Sequence, residues 1–232
     1  TEVWFGTSTG LVRLTKKDGH WITYRLGRRG SGRVTALLRN EERLWIGTES
    51  GLAVLDLAAD TVRTVAGSER FDIRAIAGGP DQIWAATDLG LYQCDREDVV
   101  WSLVPGPDQL TRNPVVGLSI HETGVWAASR TPPGLAHLSE PGAEWQWFPL
   151  SEIGGSQRVA LAADSTRAWV GTLDGAFRLD ITNGLWRAFN STDGLIYDQI
   201  QAILLQGDYV WFGTPNGVSR YHWAGDFFER RD

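Results

Sequence analysis

The chain has 232 residues, a net charge of −6, 42% apolar residues and 22% charged residues, which excludes wholesale disorder and a nucleic-acid binder held by its global field. No apolar run is long enough to cross a membrane, and the single cysteine, Cys94, excludes an intrachain disulfide and a cysteine-cluster metal site. Methionine is absent and the chain opens on Thr1, which reads as a processed or trimmed segment from which any targeting segment would already be gone.

The predicted elements recur along the chain. The run VWFGT at 3–7 predicts a strand, Gly10 a tight turn, LVRL at 11–14 a second strand and Trp21 a third. From the second repeat on, a small residue followed by an aliphatic one opens each unit as an additional, innermost strand. Ala36 and Leu37 precede LWIGT at 44–48, with Gly51, LAVL at 52–55 and Val62 after it. Ala75 and Ile76 precede IWAAT at 83–87, followed by Gly90, LYQC at 91–94 and Trp101. Gly117 and Leu118 precede VWAAS at 125–129; here Pro132 and Pro133 lengthen the turn before Gly134, LAHL at 135–138 and Trp145. Ala160 and Leu161 lead into AWVGT at 168–172, Gly175, AFRL at 176–179 and Trp186. Ala202 and Ile203 lead into VWFGT at 210–214, Gly217, VSRY at 218–221 and Phe228.

The repeat tryptophans, Trp4, Trp45, Trp84, Trp126, Trp169 and Trp211, are spaced 41, 39, 42, 43 and 42 residues apart. A period of about 40 residues with strand content predicts a β-propeller of four-stranded blades. No segment holds a helical apolar period for three turns, so almost no helix is expected. The chain is therefore read as one all-β domain over 1–232, with six repeats starting near 3, 44, 83, 125, 168 and 210. Tryptophans in step with the period are expected in the core between sheets. Glycine after each repeat strand is expected to supply the positive φ of a tight hairpin. Only five innermost strands accompany six outer sets, so blade 1 should lack its inner strand. That gap is expected to be left by trimming or filled by another segment or chain, because an unpaired edge invites association.

The run STDGLIYDQIQAILLQGDYVWFGTPNGVSRY at 191–221, and LWIGTESGL at 44–52, resemble the two-component regulator propeller repeat, and the resemblance covers essentially the whole chain. Ala86 and Ala128 depart from the strand glycine, Ala176 and Val218 from the leucine after the turn, and Arg158 from an apolar inner-strand position. Quinoprotein-like propeller repeats also share a strand, an Asp-Gly turn and a tryptophan, and AWVGTLDGAFRLD fits them. The regulator-type resemblance implies a periplasmic or extracellular sensor or ligand-binding module, with no catalytic residues and no cofactor. Its alternative is a protein–protein interaction scaffold in a larger assembly.

No phosphate loop, nucleophile elbow or metalloprotease motif is present. His20, His121, His137 and His222 sit at different repeat positions, which argues for surface roles rather than a metal site. Trp147 and Trp223 fall outside the tryptophan pattern and are the candidates for exposed stacking. Arginines gather in the loops that lead into inner strands. From these, a ligand site is expected at Arg33, Arg74, Arg112, Arg158, Tyr197 and Gln199, suited to an anionic glycan or small ligand because guanidiniums bind carboxylates bidentately. Each arginine could instead pair with a nearby acid such as Asp72 or Glu152.

Overall fold

The computed structural model describes residues 2–26, 32–40, 42–78, 82–95, 100–122, 124–140, 142–156 and 159–229. The chain divides into two compact units, Thr1–Pro105 and Gly106–Asp232. Every sheet in both is an antiparallel meander of consecutive strands.

In the first unit, sheet 1 holds β1 (Glu2–Thr7), β2 (Gly10–Thr15) and β3 (His20–Tyr24). Sheet 2 holds β4 (Val34–Arg39), β5 (Arg43–Thr48), β6 (Gly51–Asp56) and β7 (Thr61–Thr64). Sheet 3 holds β8 (Ile73–Gly78), β9 (Gln82–Thr87), β10 (Gly90–Asp95) and β11 (Trp101–Leu103). In the second unit, sheet 4 comprises β12 (Val115–His121), β13 (Gly124–Arg130), β14 (Pro133–Leu138) and β15 (Gln146–Pro149). Sheet 5 comprises β16 (Ala160–Ala163), β17 (Arg167–Gly171), β18 (Ala176–Asp180) and β19 (Leu185–Phe189). Sheet 6 comprises β20 (Ala202–Gln206), β21 (Tyr209–Thr214), β22 (Gly217–His222) and β23 (Phe227–Glu229). The helical content among the described residues is one turn, α1 (Asp108–Thr111), and a 3-10 turn at Ser151–Ile153. Both lie in the longer segments that lead into β12 and β16.

Within each unit, one face of a sheet packs on the next sheet, and the repeat tryptophan is the centre of that face. Trp45 lies with Val54 and Val65 against Phe71, Ile73, Ile83 and Ala85 of sheet 3. Trp126 packs against Ala168, Val170, Phe177 and Leu179 of sheet 5. Trp169 meets Phe212 and Tyr221 of sheet 6 edge-on. All three indoles are fully buried, each contributing about 4–6 kcal/mol as an upper figure from the area it removes from water.

The strand glycine explains how close the sheets come. A Cβ on Gly47 would stand 2.7 Å from Ile73 Cγ2, one on Gly6 2.6 Å from Val34 Cγ1, and one on Gly171 2.4 Å from Ile200 Cγ2. These separations are below any van der Waals contact, so at these three places the β-branched residue at the entrance to the next inner strand requires glycine opposite it. In the fifth repeat that apolar seat is taken by Val159, whose Cγ2 would lie 2.6 Å from a Cβ on Gly117. The expectation that Arg158 replaces the apolar residue is thus off by one position, and Arg158 itself lies outside the described residues.

The threonine that ends the repeat strand closes the turn. Thr48 Oγ1 donates to the Gly51 carbonyl at 2.8 Å and accepts from Ser50 N–H at 3.2 Å. The same pair of bonds recurs at Thr7, Thr87, Thr172 and Thr214. The following glycine takes positive φ, as at Gly51 (127°) and Gly175 (129°). Gly134 does not follow this rule. Its turn is built on Pro132, and Gly134 is small because a Cβ there would lie 2.5 Å from the Trp147 ring.

Three expectations about aromatic burial are corrected. Trp21 is 58% exposed, because it sits with Phe5 on the face of sheet 1 turned away from sheet 2. Trp4 is only half-buried because β1 is an edge strand, whereas β5, β9, β13, β17 and β21 are flanked on both sides. Trp211 is half-buried because it faces away from sheet 5, beside exposed Leu204.

Thr48→Val should therefore cost about 1–2 kcal/mol, since it leaves a buried turn unsatisfied, while Thr214→Val, in an exposed turn, should cost less than half as much; urea unfolding of both checks this. Phe212→Ala should cost about 3–5 kcal/mol as a core truncation. Phe5→Ala, in an identical pentapeptide, should cost well under about 1 kcal/mol. Equal losses at the two phenylalanines would contradict the burial assigned to them.

Candidate functional site

Three of the five inner strands, β4, β8 and β12, begin with a β-bulge that sequence reasoning missed. The register slips by one between Val34 and Ala36, between Ile73 and Ala75, and between Val115 and Gly117. The extra residues are Thr35, Arg74 and Val116. A bulge re-aims the side chain it carries, and the three positions use this differently. Thr35 Oγ1 donates to the Ile73 carbonyl and ties β4 to β8. Val116 is buried in the core, and its carbonyl accepts from Val159 N–H at 2.9 Å. Arg74 carries a guanidinium there.

Arg74 is the most constrained of the expected site residues. Its side chain is 8% exposed, and its Nε donates to Asp72 Oδ2 at 3.4 Å. The Asp72 backbone N–H in turn donates to Asp88 Oδ1 at 2.9 Å, and Asp88 N–H to the Asp72 carbonyl at 3.2 Å. Arg74 Nη1 is buried with no hydrogen-bond partner among the described residues. An unmatched N–H on a buried cation costs on the order of 1–3 kcal/mol. The neighbouring acid anticipated in the sequence is thus present at Asp72, through one long bond that leaves half of the fork unused.

Arg33, just before β4, is exposed and pairs with Glu49 at 3.4 Å. These two arginines belong to the first unit, on adjacent inner strands joined by the Thr35–Ile73 bond. In the second unit, Arg112 is exposed at the C-terminal end of α1, ahead of β12. Tyr197 is exposed and Gln199 half-buried in the irregular segment before β20. Glu152, the other acid considered as an arginine partner, accepts from Ser151 Oγ at 2.9 Å.

The two tryptophans outside the repeat pattern are packing residues. The Trp223 ring lies 3.7 Å under the Arg167 guanidinium, and its indole N–H donates to the Gly207 carbonyl at 3.1 Å. Trp147 is half-buried against Gly134. His137 is buried and stacked on Trp126 at 3.9 Å. Among the described residues no three His, Cys, Asp or Glu side chains are placed to hold a metal ion, and no helix is long and apolar enough to cross a membrane.

A second charged arrangement, also missed in the sequence, clamps the outer turns. Asp60 and Asp226 end their hairpins at positive φ, 52° and 58°, a conformation that disfavours side chains other than those of Asn and Asp. Asp60 accepts from Tyr24 at 2.5 Å and from Arg13 at 3.4 and 3.5 Å, joining sheet 2 to sheet 1. Asp226 accepts from Arg187 Nη1 at 2.6 and 2.7 Å and from the Tyr221 hydroxyl, joining sheet 6 to sheet 5. Arg187, and next Tyr221, hold the Asp226 carboxyl below the usual carboxylate range. Burial, and next the bond to Asp226, push the Tyr221 phenol up to about 12.

No family model and no curated protein sequence matches the chain. Solved structures do. The extracellular domain of a putative hybrid two-component system, BT3049 from B. thetaiotaomicron, superposes over 100% of this chain with a TM-score of 0.79 at 21% identity. That of BT4673 from the same organism, described as a putative one-component system, superposes over 100% at 0.75 and 19% identity. The fold is that of a β-propeller. The chain spans 32% of the length of each of those two domains. Virginiamycin B lyase from Staphylococcus aureus also superposes, over 94% of this chain and 76% of its own, at a TM-score of 0.73 and 15% identity. The same fold therefore occurs in extracellular domains of putative one- and two-component systems and in a lyase.

Asp226 has a depressed carboxyl, so its contribution is complete above the unfolded carboxylate value of about 4 and is lost as pH falls through its lower folded value. Asp226→Asn should lower stability at pH 7 by no more than about 1 kcal/mol, since the pair is half exposed, and the difference from the parent protein should close in strong acid. Denaturant titrations at pH 7 and pH 2.5 measure it. Burial pushes the Cys94 thiol up to about 11. Folded protein at pH 7.5 should therefore resist a thiol reagent that labels the urea-unfolded chain within minutes, as mass spectrometry would record.

Proposed function

We propose that this chain is a non-catalytic, sensor-type β-propeller that recognises a ligand outside the cytoplasmic membrane. The observation that carries this reading is the superposition of the whole chain on the extracellular domains of a putative hybrid two-component system and a putative one-component system. The repeat runs at 44–52 and 191–221 support it independently. In the finer form of the proposal the six sheets are six blades, and blade 1 lacks its inner strand.

The proposed ligand carries a carboxylate, as an acidic glycan fragment does. Arg74 supports this: a cation held on a bulge by one long bond to Asp72, with Nη1 unmatched, gains most from an anion that completes its fork. Arg33, exposed just before the adjacent inner strand and paired with Glu49, is proposed as a second cationic contact. Arg112, Tyr197 and Gln199 are proposed as ligand contacts on the second unit, and Arg158 is kept from the sequence argument. The absence of a convergent catalytic set in the sequence separates this reading from that of the lyase.

The test is binding of an acidic oligosaccharide, such as an oligogalacturonate, by calorimetry. Arg74→Ala and Arg33→Ala should each weaken binding at least several-fold, with circular dichroism unchanged, and the gap should narrow in high salt. Unaltered affinity in both variants would end the carboxylate proposal. The scaffold reading is favoured by a different feature, the exposed Phe5–Trp21 face.

A further inference from the structure

The three bulged inner strands enter their sheets in the same way, so the residues just outside the first pair can be compared. Val34 pairs with Thr48, Ile73 with Thr87 and Val115 with Ser129. One residue further out, Arg33 stands against Glu49, Asp72 against Asp88 and Pro114 against Arg130. Arg33 and Glu49 carry opposite charges and form an ion pair at 3.4 Å. Arg130 N–H donates to the Pro114 carbonyl at 3.0 Å, and proline has no N–H to offer in return. Of the three, the Asp72–Asp88 pair alone sets two carboxylates side by side, an arrangement that disfavours pairing unless something else holds it.

The backbone holds it. Asp88 N–H donates to the Asp72 carbonyl at 3.2 Å, and Asp72 N–H donates to Asp88 Oδ1 at 2.9 Å. Both main-chain groups of Asp72 are thereby tied to one residue. Ile73, next in the chain, is fixed as well: its carbonyl accepts from Thr35 Oγ1, and its side chain lies against Gly47. A carboxylate free to turn would form the two parallel bonds that a guanidinium favours and would use up the fork. With its main chain held, Asp72 reaches Arg74 only at Nε and only at 3.4 Å, and Nη1 is left over.

We infer that Asp88 is a positioning residue of the Arg74 site: it clasps the Asp72 main chain so that the Asp72 carboxylate steadies the guanidinium without consuming it. Asp88 acts through Asp72 and needs no contact with a ligand. A site whose charged group is braced by a second layer of hydrogen bonds presents that group in one orientation, which lowers the ordering cost of binding. The inference rests on the ligand reading for its purpose and on the clasp for its geometry.

Two substitutions separate positioning from charge. Asp88→Asn keeps a side-chain oxygen for the Asp72 N–H and removes the negative charge, whereas Asp88→Ala removes both. In isotope-labelled protein without ligand, the Asp72 amide and the Arg74 Nε–H should exchange with solvent about tenfold faster in Asp88→Ala than in the parent protein, and at parent-like rates in Asp88→Asn, as nuclear magnetic resonance would record. Parent-like exchange in Asp88→Ala, or equal loss of protection in both variants, would overturn the inference. Calorimetry with the oligogalacturonate probe reads the consequence. Asp88→Ala should weaken binding at least several-fold, and Asp88→Asn should bind no more weakly than the parent. If Asp88 mattered only as a charge, both variants would bind the anion more tightly, and that result also overturns the inference. A parent protein that does not bind the probe defeats the carboxylate reading instead, and the exchange rates then decide the role of Asp88 on their own.

Discussion

The structure depends on one steric relation: in three of the repeat strands a central glycine lets the β-branched residue at the entrance to the next inner strand press against bare backbone. Gly6 with Val34, Gly47 with Ile73 and Gly171 with Ile200 are the same contact made three times. A side chain at any of these three glycines would part the sheets, and the indole two residues before it would then line a gap instead of a core. The tryptophans supply the area and the glycines set the distance at which that area becomes contact.

The rim is fastened by different chemistry. Asp60 and Asp226 sit in a backbone conformation that glycine adopts at the equivalent turns of Gly19 and Gly184. Each carboxylate reaches the preceding sheet and accepts from an arginine of that sheet, together with a tyrosine. The inner ends of the sheets meet through apolar contact and the outer ends through charge, with the Arg167–Trp223 stack as a variant of the second kind. This division leaves the inner-strand entrances as the places where a guanidinium such as that of Arg74 is held with hydrogen-bonding capacity left over.

Most of the fold was legible in the sequence because the repeat carries its own ruler: a tryptophan, a glycine two residues on, and a glycine six residues on fix strand, spacing and turn together. What escaped was set by geometry that repeats leave unsaid. Trp21 matches Trp101 and Trp186 in sequence, but those two have a preceding sheet in their own unit to pack on and Trp21 does not. Gly134 matches Gly175 by position, yet it serves the ring of Trp147 and not a positive φ. The bulges at Thr35, Arg74 and Val116 left no trace in spacing, because the extra residue is taken up within the first pairings of these inner strands while the repeat strands keep their distance. That is why Arg158 was assigned a seat that belongs to Val159. The arginines themselves were legible as candidates, but not the degree to which Asp72 engages one of them.

Within the first unit sheet 1 packs on sheet 2 and sheet 2 on sheet 3, which makes that unit's stability a sum over interfaces, as in repeat proteins. Sheet 2 is held from both sides within its unit, and sheet 1 from one side by three strands. Thermal opening of the first unit would accordingly begin at sheet 1 and travel inward, interface by interface, so that the unit's lifetime against proteases is set at its least supported sheet rather than by the average quality of its core.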